Sequence, residues 1–225
     1  MALGKTMRAA AFLLACAAAG AAQADTVNMS GFLGGRKAAA DIDLPRNITP
    51  YAGEFTGTWN GNSFSAMCVD VMHNMTFGTT WTNYSAVTPA AYGFSSAQVG
   101  LFNRLYTNYY ASSHASNENA AAFQIAVWEI TYDGNGALDV DAGSFELGSG
   151  GNATARSTAM GWLSGLAAQS AGAWSFTVLD STGVAGGQNA TQDLLVAIPV
   201  PEPATYALML AGFGLMGLAS RRRLS

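Results

Sequence analysis

Cysteine and charge are both scarce in this 225-residue chain: two cysteines, two histidines and 11% charged residues leave few side chains able to do chemistry. One of the cysteines, Cys16, falls in an N-terminal segment that reads as removable. A disulfide framework is therefore excluded, and Cys68 stands alone in the body of the chain. Basic side chains are equally sparse in the middle. Between residues 25 and 200 they are Arg36, Lys37, Arg46, Arg104 and Arg156, outnumbered by carboxylates, so nucleic acid is not an expected partner. Asp70 and His73 stand three apart, but His114 is the only other histidine and no metal-ligand spacing emerges. The stretch holding Asp133, Asn135, Asp139 and Asp141 lacks the spacing and closing Glu of an EF-hand. No metal or cofactor is expected, and no hydrolase triad can be assembled around Cys68, so the chain is not expected to be an enzyme.

The sequence does have two marked ends. Lys5 and Arg8 precede an apolar run from Ala9 to Ala19, and small residues follow up to Ala24. This is the pattern of a secretory signal peptide over residues 1–24, cleaved after Ala24; the run is too short to span a bilayer, which takes about 20 residues. At the other end, residues 199–225 hold Pro201-Glu202-Pro203, an uncharged apolar stretch from Ala204 to Ala219, and the cluster Arg221, Arg222, Arg223. An apolar helix followed by arginines predicts a marginal transmembrane segment with its basic end in the cytoplasm and the body outside. The tail closely resembles the PEP-CTERM sorting signal of Gram-negative bacteria. That resemblance implies a membrane-embedded exosortase that cleaves near Pro201 to Pro203. The precursor would be anchored transiently in the inner membrane, and the body would end on the envelope surface or in a biofilm matrix, with exopolysaccharide as an expected partner.

The roughly 175 residues between the signals suit one domain, residues 25–198. Residues 26–34 alternate loosely as a first strand. Alternating runs flank Asn60-Gly61, the strongest short hairpin signal, and place Phe64, Ala66 and Cys68 on one side of the second strand with Met67 and Val69 opposite. Residues 76–88 suit either a further strand or a long loop. The period then changes: Val99, Phe102, Leu105, Tyr106 and Tyr109 recur at helical spacing behind Ser95 or Ser96. A second helix runs from Ser116 to Ile130 and stops at Asp133-Gly134. A third helix is predicted over 155–168, a Gly/Ser-rich loop over 139–151, and closing strands over 173–179 and 192–198. The expected fold class is α+β: a β-rich barrel or sandwich with a central inserted helical segment, plus the C-terminal transmembrane-type sorting helix.

Two features of the body call for explanation. Cys68 is the one reactive side chain, in Met67-Cys68-Val69-Asp70, and Gln124 is an amide on an otherwise apolar helix, in Phe123-Gln124-Ile125-Ala126-Val127-Trp128. Taken as residues alone, both suit core packing, since cysteine is among the most buried residue types. Together and in this order, Cys-aliphatic-Asp and aromatic-Gln-x-Ala-aliphatic-Trp resemble the bacterial thioester domains of surface adhesins. The resemblance spans about residues 64–129, with Met67 and Phe123 departing from the residues usual beside the pair. It implies an internal thioester between Cys68 and Gln124, with Asp70, Ala126 and Trp128 at supporting positions. It also implies covalent attachment to an amine-bearing surface or matrix partner.

Overall fold

The computed structural model describes residues 24–181, 191–201, 208–211, 213 and 216. The expected leader up to residue 23 lies outside them, as do Glu202, Pro203 and the arginines 221–223, while Ala24 and Pro201 are exposed. The expected sorting helix falls largely outside as well; the described residues 208–211, 213 and 216 are helical and exposed. Among the described residues no helix is long and apolar enough to cross a membrane.

The strands, in chain order, are β1 (Asp25–Phe32), β2 (Ala38–Ala39), β3 (Ile42–Leu44), β4 (Tyr51–Ala52), β5 (Phe55–Trp59), β6 (Asn62–Cys68), β7 (Thr80–Val87), β8 (Glu146–Leu147), β9 (Trp174–Asp180) and β10 (Leu194–Pro199). The helices are α1 (Pro89–Tyr92), α2 (Ser96–Ser113), α3 (Asn117–Asp133) and α4 (Ala153–Leu163). Six strands close into a barrel in the order β1-β5-β6-β10-β9-β7, and α1 to α4 all fall between β7 and β9 in the chain. The α+β expectation holds, and of its two β architectures the barrel is the one formed.

Local chemistry accounts for the elements that read clearly. Asn60 (φ 50°) and Gly61 (φ 80°) take the two left-handed positions of a tight turn, so β5 and β6 pair in register from Trp59↔Asn62 to Phe55↔Ala66. Ser95 caps α2 in a full capping box with Gln98, and Ser116 caps α3 by accepting from the Asn119 N–H. In α3 every residue from Ala120 to Ile130 is buried, as expected of a helix apolar on all sides.

One alternative that the sequence left open is decided, and two segments depart from the expectation. Residues 76–88 resolve in favour of a strand, β7, between β1 and β9. The helix expected over 155–168 divides into α4 and a short 3-10 turn at Leu166–Ala168, because Ser164 is extended and Gly165 (φ 75°) is left-handed. The 139–151 loop contains β8, which pairs with β3 through Ile42↔Leu147.

The register identifies the faces. Met67 lies opposite Leu195, and Leu195 opposite Val178, on the side of Phe176. The Phe176 ring meets Phe102 and Tyr106 of α2 at centroid distances of 6.1 and 5.4 Å, so this is the barrel's outer face, covered by helix. The opposite face, with Ala66, Cys68, Leu179 and Leu194, forms the interior, and all four are at most 2% exposed. The alternation along β6 is therefore as expected, but Met67 is buried on the outside too because α3 packs against the strand.

Candidate functional site

Cys68 is the last residue of β6. The Val69 N–H donates to Asp193 O at 3.0 Å, so the neighbouring main-chain groups, those of Cys68 itself, point away from β10. On that other side β5 begins at Phe55, opposite Ala66, and offers no strand partner this far along. Gln124 fills the place. The Cys68 N–H donates to Gln124 Oε1 at 2.9 Å, and Gln124 Nε2 donates to Cys68 O at 2.7 Å. The carboxamide thus acts as one further residue of sheet, delivered from the middle of α3 and 1% exposed.

The sulfur has its own contacts. Cys68 Sγ donates to Asp70 O at 3.0 Å and accepts from the Asp70 N–H at 3.3 Å; the structure holds the pair as free thiol and carboxamide. Burial pushes the thiol pKa up to about 12, and the nearby Asp70 and Asp193 charges add to the rise. Two donors work the other way, the Trp128 side chain first and the Asp70 main chain second. The Trp128 indole N–H lacks a hydrogen-bond partner of full geometry among the described residues, although it lies close enough to favour negative charge on the sulfur.

Each residue singled out in the sequence has a place here. Asp70, 7% exposed, accepts from the Met72 N–H at 2.7 Å through Oδ1 and meets His73 Nδ1 at 2.5 Å through Oδ2. Ala126 and Trp128 are buried on α3 at 0% and 2% exposure. Beyond Asp70 a cleft of about 400 Å³ opens, lined by Val69, Asp70, His73, Tyr92, Tyr132 and Asp193 among others. Asp193 is held by Ser181 N–H and Tyr92 O–H, both at 2.8 Å, and burial raises its pKa. No group of three or more potential metal ligands occurs among the described residues, and the acidic stretch from Asp133 to Asp141 forms none.

Chemically, the arrangement can polarise and position. The Cys68 N–H pulls on the Gln124 carbonyl oxygen, and the carbonyl carbon stands beside the residue that carries the sulfur. Burial excludes water from both groups.

Besides Asp193, two more buried carboxylates are not foreseen from the sequence. Glu129 is 0% exposed; its Oε1 accepts from the Asp139 N–H at 2.7 Å, and its Oε2 has no partner among the described residues. Its position inside the apolar run of α3 was the available signal. Glu54 accepts from Ser65 Oγ (2.5 Å) and Tyr110 O–H (2.8 Å) and pairs with His114 Nε2 (2.8 Å); nothing in the local sequence foretells that cluster.

Neither a curated protein nor a solved structure matches the chain, and no comparison supports the resemblance to thioester domains. A family model does match at the C-terminal end, where the body's last strand runs into the tail. Residues 199–223 match the PEP-CTERM protein-sorting motif, and the chain is accordingly an exported, exosortase-targeted surface protein with a membrane-anchored precursor.

Proposed function

We propose that the exported body is a single-use covalent adhesin of the cell surface or biofilm matrix, armed by a thioester between Cys68 and Gln124. One observation carries this reading: the Gln124 carboxamide is clamped by the main chain of Cys68, its two polar atoms at 2.9 and 2.7 Å, although 56 residues separate the two in sequence. In forming the thioester, the sulfur adds to the Gln124 carboxamide carbon, the C–N bond breaks, and ammonia leaves with the thiol proton. A partner's primary amine then attacks the same carbon. A C–N bond replaces the C–S bond, and the proton returns to Cys68. The Cys68 N–H supports both steps, because charge develops on the oxygen it already holds. Proximity supplies the entropy that the reaction would otherwise lack, and the apolar surroundings slow hydrolysis.

A second reading draws on the same atoms. Gln124 satisfies a strand end that has run out of strand, and a thiol raised to about 12 is a poor nucleophile at neutral pH, which favours a non-reactive structural component of the matrix. Intact mass separates the two. For an armed protein purified under conditions that limit hydrolysis, the mass is low by one ammonia, rises on exposure to methylamine by that amine, and is unmodified in Cys68→Ala and Gln124→Ala. A full, amine-indifferent mass in the wild-type protein leaves the structural reading standing.

A further inference from the structure

The end of the barrel opposite Cys68 carries a second surface. β10 pairs with β9 along its whole length, from Leu194↔Leu179 to Pro199↔Trp174, but with β6 only at Leu194 and Leu195. Beyond Leu195 the two strands part. The gap is a cleft of about 480 Å³, walled by Trp59, Phe64 and Asn62 of the β5–β6 hairpin and by Val196 and Ile198 of β10, with no charged side chain in its lining. Its edge is apolar and open at Ile198, which is 54% exposed, and the exposed apolar surface continues along the chain to Val200, 47% exposed.

This cleft adjoins the sorting motif. The Val200 N–H donates to Ala173 O at 2.8 Å, which ties the chain to the barrel up to the residue before Pro201. Pro-Glu-Pro follows with no linker. Three residues of extended chain reach about 10 Å, so an enzyme that holds residues 201–203 in its active site must also meet the barrel's end. The first strand starts there too, since the Asn60 N–H donates to Thr26 O at 2.8 Å and Asn60 Nδ2 to Asp25 Oδ1 at 2.5 Å.

We infer that the β6–β10 cleft and its rim are a docking surface for the exosortase, which reads the folded barrel end together with the motif. The inference rests on the sorting motif and is independent of any thioester. A cleft whose lining carries no charge, beside the first residues of a membrane-directed tail, suits a membrane-held protein, because filling it desolvates no charged lining residue. Since the cleft exists only when the hairpin and β10 are assembled, processing then selects bodies that have folded.

The test follows cleavage of the full-length precursor, by its mass shift, in a host that makes the enzyme. Ile198→Glu and Val200→Glu each slow cleavage about tenfold, the equivalent of one lost apolar anchor. A flexible linker of about ten Gly/Ser residues inserted between Val200 and Pro201 slows the otherwise unaltered precursor to a similar rate, and abolishes the difference between it and the two variants. The linker leaves every barrel residue in place, so its effect stands even if a variant folds poorly. Cleavage that is unchanged or faster with the linker overturns the inference, since the barrel end is then a bystander or an obstacle. Loss of the uncleaved variants from the membrane fraction of a host lacking the enzyme also overturns it, and assigns the rim to lipid. Normal processing of the double variant Pro201→Ala, Glu202→Ala signals a different failure, that of the motif itself.

Discussion

Gln124 satisfies two main-chain groups at once, and its removal leaves both Cys68 N–H and Cys68 O buried without partners. Each such orphan costs about 1–3 kcal/mol, so Gln124→Ala is expected to lower unfolding stability by about 2–5 kcal/mol in urea denaturation. Cys68→Ala keeps the clamp and takes from the Asp70 N–H and O only the weak bonds of a sulfur, at a cost of about 1–2 kcal/mol. The reverse order of the two losses contradicts the role assigned to the amide. Glu129 gives a second prediction at this scale. Burial, with the charges of Asp133, Asp139 and Asp141 behind it, raises its pKa from 4.5 to about 8. Between those values the folded protein holds a proton that the unfolded chain has released. Stability therefore falls as pH rises from about 5 to about 8, and Glu129→Gln flattens that slope in melting temperatures taken across the range. The pairing of Cys68 with Gln124 was suggested by residue order. Its form was not legible, because a main-chain clamp depends on where β5 starts and how β10 pairs, and neither is encoded near either residue.

The elements that read correctly are those whose signals are local. Asn60-Gly61 specifies its turn within two residues, and Ser95 with Gln98 closes the start of α2 within one turn of helix. The break at Ser164-Gly165 is equally local but stands inside a helical pattern, where a lone glycine usually costs little more than propensity. Residues 80–87 are strand because β1 and β9 lie on either side, a long-range condition that local composition cannot supply. Close packing between strands adds a test at this level. A Cβ at Gly57 would sit 2.1 Å from Asn28 O and 2.8 Å from Met29 Cα, both backbone atoms of β1. Gly57→Ala must therefore push β1 and β5 apart, and is expected to cost about 3 kcal/mol or more by the same urea measurement. Ser63→Ala, on the neighbouring strand and exposed, is the control and changes little.

At the scale of the whole molecule, the barrel and its inserted helices put two unlike regions at opposite poles. β6 joins them: it leaves the hairpin at Asn62, beside the cleft and the start of β1, and ends six residues later at Cys68. At about 3.4 Å per residue the strand covers roughly 20 Å. While the precursor is held by its tail, the strand works as a mast stepped at the membrane, with Cys68 and Gln124 at its head. Anything that pair engages is met at the pole away from the tether, both before and after the tether is cut.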